Sequence, residues 1–171
     1  MSKTDAVRTS LAAMASLLAP AHPAVAEQVL HAHDDPERYV RTHADRLADR
    51  GIDEPFPNLA WIALVDALDE HQLLAEFDWK EGSDEIRAQL GRLVSRPSVD
   101  PRVLFDADDI FLPTHEFLEV CGRRYREVGA ALAVLDIDSD CYPVVCLRTA
   151  RAEELTALAD RAGFAARILG A

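Results

Sequence analysis

Apolar residues recur at helical spacing through most of the first half of the chain. In the second half they alternate or form short unbroken runs. Val7, Leu11, Met14 and Leu18 share one face of a helix over residues 4–18, which Pro20 stops. A second helix is predicted over residues 23–32 and a third over residues 36–50, the latter ended by Gly51. In the third, Val40, His43, Ala44 and Leu47 form the inward stripe. Residues 56–68 are apolar on nearly every side, which places a helix there at the centre of the fold, with Pro57 suited to its first turn. Residues 73–79 then alternate, with Ala75, Phe77 and Trp79 on one side and Glu76 and Asp78 on the other, as in a short half-buried strand.

Ser83 suits a helix N-cap, with Asp84 and Glu85 opposing the positive helix end. Ile86, Leu90, Leu93 and Val94 give the inward stripe of a helix running towards Pro97. Residues 95–113 mix proline with Asp106, Asp108 and Asp109, which predicts irregular chain with a short strand at 103–105. Thr114 caps a helix to about residue 128, with Phe117, Leu118, Cys121 and Tyr125 inward and Gly129 closing it. Residues 131–137 and 142–147 read as a hairpin. A helix follows from Thr149 with Leu155, Leu158, Ala159 and Ala162 on one face, Gly163 stops it, and residues 164–169 form a last strand. This β-β-α-β tail fits a crossover unit whose last strand runs parallel to the strand before the helix. The fold class expected is α+β, a helical N-terminal half packed on a small mixed β-sheet. All 171 residues fit one domain, in which residues 1–20 form a peripheral helix.

Charge narrows the choice of partners. A net charge of −12 repels phosphate backbones, so the expected partner is a protein with a basic surface rather than a nucleic acid. Cys121, Cys141 and Cys146 are odd in number and lack CxxC spacing, which points to a reducing compartment and a cytoplasmic location. Against that, Lys3, Arg8 and the apolar run after them mimic a leader ending at Ala24-Val25-Ala26, although Asp5 interrupts the positive region. Residues 59–65, the longest later apolar run, are too few to span a membrane. No GxSxG, Walker loop, GxGxxG or CxxC motif occurs, so neither a cofactor nor a standard catalytic centre is expected.

Two acidic segments stand out. Asp136, Asp138 and Asp140 sit at the tip of the hairpin with no base between them, yet Cys141 and Leu147 occupy the places where a calcium loop needs Gly and Glu. A solvated turn explains them equally, since Asp and Ser favour turns. Asp78, Trp79, Lys80 and Glu81 lie in a stretch, residues 66–85, that holds eight acids and one base. Here Trp79 either plugs the core or forms a recognition edge, towards which the carboxylates steer a cationic surface. His115 and Glu119, one helical turn apart, resemble a degraded HExxH that lacks its second histidine. Asp106, Asp108 or Asp109 would have to complete a metal site there. His31 and His33 are spaced so that they do not face each other on a helix.

Residues 57–64, the segment Phe77-Asp78-Trp79-Lys80-Glu81 and residues 135–143 together resemble a bacterial family known only as a domain of unknown function, over roughly residues 40–170. The resemblance implies a fold and no activity. In size, charge and fold class the chain is also similar to immunity proteins that neutralise secreted toxins, which is an analogy only. The expectation is a small acidic protein-binding domain without catalytic activity, of immunity or regulatory type. The alternatives are a metal-binding domain or metal-dependent hydrolase built from the clustered Asp, His and Glu, and a homodimer that buries Trp79 between subunits.

Overall fold

The computed structural model describes residues 2–101 and 105–171, so the strand expected at 103–105 lies, but for Phe105, outside the described residues. The chain opens with α1 (Lys3–Leu18), started by a reciprocal cap in which the Ser2 hydroxyl accepts from the Asp5 amide at 3.1 Å and the Asp5 carboxylate accepts from the Ser2 amide. Expected at the periphery, α1 instead sinks Leu11 and Met14 completely into the core, because its apolar stripe faces the next helix and the last one. Then come α2 (Pro23–Asp34), α3 (Pro36–Thr42) and α4 (Ala44–Ala48). The single third helix expected over residues 36–50 breaks at His43, whose ring stacks back on Tyr39 at 4.2 Å.

The central helix α5 (Leu59–Glu70) is buried from Leu59 to Leu68 on all sides, as its composition requires. After β1 (Leu74–Asp78), α6 (Ser83–Leu90) is capped by Gly82 rather than Ser83 and ends before the expected Pro97. Beyond it the chain turns, the Val94 amide donates to the Gln72 carbonyl at 2.9 Å, and the Val94 side chain faces out rather than joining the inward stripe. A 3-10 turn (Ala107–Phe111) precedes α7 (Thr114–Glu127), whose Phe117, Leu118, Cys121 and Tyr125 are all buried. The tail is β2 (Ala130–Asp136), β3 (Cys141–Arg148), a 3-10 turn (Thr149–Arg151), α8 (Ala152–Arg161) and β4 (Ala165–Ile168).

The four strands lie in the order β1-β3-β2-β4. The expected crossover is present, and β4 runs in the same direction as β3. Every hydrogen-bonded pair is nonetheless antiparallel, so the sheet is not mixed: both edges of β3 are taken by β1 and β2, and β4 adds to the free edge of β2. Strand pleating divides the core in two. Leu74, Val145, Ala133 and Leu135 face α1, α2, α5 and α8, while Ala75, Phe77, Val144, Leu132 and Val134 face α6 and α7. On the second side α7 lies so close to the C-terminal segment that a Cβ on Gly122 would sit 2.3 Å from the Leu169 carbonyl oxygen, so no side chain fits there.

Candidate functional site

The antiparallel register of β1 and β3 pairs Asp78 with Cys141, which sets the turn after β1 beside the tip of the β2–β3 hairpin. All seven residues singled out from sequence, Asp78, Trp79, Lys80, Glu81, Asp136, Asp138 and Asp140, therefore share one end of the sheet. The N-termini of α5, α6 and α7 open at this end too, and their partial positive charge tempers the carboxylates.

The hairpin tip is held from within and from below. The Asp136 carboxylate accepts from the Asp138 amide at 2.9 Å, the Ser139 hydroxyl accepts from the Cys141 amide at 3.1 Å, and Asp138 takes a left-handed conformation (φ 56°) that Asp tolerates. From α5, the Asn58 amide donates to the Asp138 carboxylate at 3.2 Å and the Trp61 indole donates to the Asp136 carbonyl at 2.9 Å. Trp61 itself is fully buried and stacks on Phe164, 4.8 Å between ring centres. Asp136, Asp138 and Asp140 remain exposed.

Trp79 does not plug the core. Strand β1 ends at Asp78, so the alternation that buries Ala75 and Phe77 stops one residue short of it, and Trp79 is 53% exposed with the Lys80 ammonium 4.5 Å from its ring centre. The Thr114 hydroxyl donates to the Glu81 carbonyl at 2.8 Å, joining this turn to the start of α7. That brings in Phe111, 79% exposed and three residues before Thr114; Phe56, 38% exposed, stands two residues before Asn58. Exposed Phe56 and Phe111 thus stand close in sequence to Asn58 and Thr114, the two residues that bond to these turns, and of the three aromatics the sequence singles out only Trp79.

Part of the acidic stretch is neutralised within the molecule, while Glu70, Asp84 and Glu85 stay exposed. Asp66 is 1% exposed, and its Oδ1 accepts from Arg50 at 2.7 Å and lies 3.2 Å from Arg46 Nε. Arg50 also binds Glu76 on β1 at 2.6 Å, and Arg46 binds Asp69 at 2.9 Å. Burial alone would lower the Arg50 pKa, but its bonds to Glu76 and Asp66 hold it well above the ordinary arginine range. Asp66, Asp69 and Glu76 are therefore held by arginines, which narrows the carboxylates that the region of residues 66–85 can present to a partner. Sequence did carry a signal for this network: Asp66, set among apolar residues on the buried part of a helix, demands a cation.

The remaining polar motifs have structural partners. Glu119 accepts from Arg167 and, at 2.6 Å, from the Gly170 amide; burial would raise its pKa, and these bonds instead bring it below the usual carboxylate value. His115 points outward beside Glu116, while Asp106 pairs with Arg124 at 3.1 Å. Helix α2 runs through His31 and His33 without fraying. No group of three His, Cys, Asp or Glu side chains converges as a metal would require among the described residues.

Burial raises the thiol pKa at Cys121, and at Cys146 pushes it up to about 12. Half-buried Cys141 is raised by burial and then by Glu76 and Asp78. We expect alkylation of the native chain to modify Cys141 alone, more slowly than a free thiol and faster as pH rises, with Cys121 and Cys146 reacting only on unfolding. Mass spectrometry after timed quenching reads this, and prompt native labelling of Cys121 would contradict it.

A family model described as Domain of unknown function (DUF6630) matches residues 10–169, so it takes in most of α1 as well as the segments noted in the sequence. No curated protein and no solved structure matches the chain. No helix among the described residues is long and apolar enough to cross a membrane.

Proposed function

We propose, for a chain that belongs to the DUF6630 family and takes no activity from that description, a role in binding another protein through the acidic, aromatic end of its sheet. The observation that carries this reading is the half-exposed Trp79 at the mouth of two converging acidic turns. A large rigid aromatic left in water is costly unless something covers it, and Trp is prominent among residues that dominate binding energy. The carboxylates of Asp78, Glu81, Asp136, Asp138 and Asp140 steer a basic surface towards it, and Phe56 and Phe111 widen the apolar contact. No reacting group is needed, and the role is of immunity or regulatory type.

Affinity capture from the native host, repeated with Trp79→Ala and with the double reversal Asp78→Lys/Glu81→Lys, tests the reading. The expected partner is basic. Trp79→Ala should weaken it by about 2 kcal/mol or more, seen as faster dissociation. The double reversal should slow association about tenfold at low salt, with the difference shrinking as salt rises. A captured set indifferent to both variants, or light scattering that shows a dimer dispersed by Trp79→Ala, would overturn it.

A further inference from the structure

We propose that the opposite end of the sheet binds a small amphipathic carboxylate, its aliphatic tail against Leu17, Leu73 and Leu147 and its head group on Arg148. A cavity of about 460 Å3 opens there between the α1–α2 link, the residues entering β1 and the end of β3. A second concavity of about 500 Å3, between residues 95–98 and the loop entering β2, shares Ser95, Leu147 and Arg148 with the first, so the two adjoin at Arg148. Each is of a size that takes small organic ligands, whose sites are apolar inside with a few placed polar groups.

Two features make the ligand an anion. The two concavities are lined by Arg96, Arg148, Arg151 and His22 and by no Asp or Glu among the described residues, in a chain whose net charge is −12, and Arg148, exposed and without a carboxylate partner among the described residues, lines both. Ser95 lines both concavities, and its hydroxyl is turned away from solvent with no hydrogen-bond partner among the described residues, so rotation about χ1 would offer it to a ligand oxygen. Arg151, already bonded to Glu154 at 2.7 Å, and His22, stacked on His71, add cationic or donor character at the rim without being the main anchor. Leu17, Leu73, Val94 and Leu147 supply walls that a bare inorganic anion would leave unused. Head and floor together select a chain with charge at one end only, and the acidic turns at the far end of the sheet would repel the same ligand.

Titration of the full-length protein with decanoate, followed by amide chemical shifts, is the direct test. Shifts should concentrate at residues 19–22, 94–95 and 147–151, with acetate and decanol each binding far more weakly. Arg148→Gln, a change at an exposed side chain that leaves the fold intact, should weaken decanoate about tenfold while leaving decanol nearly unchanged. Val94→Glu, which sets a like charge on the exposed wall, should abolish decanoate binding. Binding insensitive to Arg148→Gln overturns the proposal, as do shifts that map to the Trp79 end. Flotation with phosphatidylglycerol vesicles in the absence of any decanoate response would reassign the groove to a membrane surface, and growth in particle size by light scattering with no ligand would reassign it to a second copy of the chain. Trp79→Ala should leave decanoate binding unchanged, which separates this site from the protein-binding end.

Discussion

Replacing Trp61 by Ala is expected to destabilise the fold by about 3–5 kcal/mol and to loosen the acidic hairpin tip. The indole is fully buried, lies flat on Phe164 and spends its one N–H on the Asp136 carbonyl. Removing it takes away a large apolar group, leaves a cavity that the surrounding α5 and sheet side chains cannot collapse into, and orphans a carbonyl at the root of the turn. Trp61→Phe separates these effects: it keeps most of the packing and loses the hydrogen bond, for about 1 kcal/mol. Urea denaturation gives the stabilities, and hydrogen exchange at the Asp138 and Cys141 amides reports the tip. If Trp61→Ala lost under 1 kcal/mol, or if exchange at those amides stayed at the wild-type rate in the folded state, α5 would not be what positions the acidic turn. The consequence for function is direct, because a tip no longer held down cannot present Asp136, Asp138 and Asp140 in fixed places beside Trp79.

The second large effect is expected at Arg50. Arg50→Ala leaves Asp66 and Glu76 facing each other across the gap between α5 and β1, with only Arg46 near Asp66. Breaking a buried pair this way costs about 3–5 kcal/mol, and the lower end applies here because Glu76 can turn towards water. Among the described residues one Asp66 carboxylate oxygen already has no hydrogen-bond partner, so the network has nothing spare to compensate with. The combined change Arg50→Met, Asp66→Leu and Glu76→Met should recover most of the loss, since apolar residues of similar volume often replace buried ions at little net cost. Thermal melts of the single and combined variants decide this. A single variant as stable as the parent would show that the network contributes nothing, and a combined variant worse than Arg50→Ala would show that its charges hold β1 in register.

Fold class and most elements could be read from periodicity because each apolar stripe declares its own partner face. Phe117, Leu118, Cys121 and Tyr125 point inward as their spacing says, and Gly163, at φ 83°, stops α8 where expected. What the stripes could not give was the break at His43, since residues on both sides of it keep helical spacing. Nor could they show that β1 stops at Asp78. One residue of extended chain decides whether Trp79 is core or surface, and alternation alone carries Trp79 to the inside.

The candidate site was half legible. Its residue types and the two acidic segments stand in the sequence, but their meeting depends on β1 pairing with β3 across more than sixty positions. Nothing in the sequence singles out Phe56, set between two prolines, or Phe111, set in the apolar run Ile110-Phe111-Leu112, because phenylalanine in such places looks like ordinary core. That Asp66, Asp69 and Glu76 are paired is not visible along the chain, because sequence adjacency says nothing about an arginine sixteen or more residues away.

The sequence by itself determined what each segment can be: which stretches are helical and which extended, which faces are apolar, that the chain is strongly acidic, and that no familiar catalytic pattern is present. These are local properties, set by backbone sterics, spacing and the charge each residue carries. Only the tertiary structure decided which carboxylates are neutralised and which face water, which aromatic stays uncovered, and where an unpaired arginine meets an apolar groove. Those outcomes rest on strand register and on long-range pairs of charges, whose energies depend on distance and burial, and neither exists until the chain has folded.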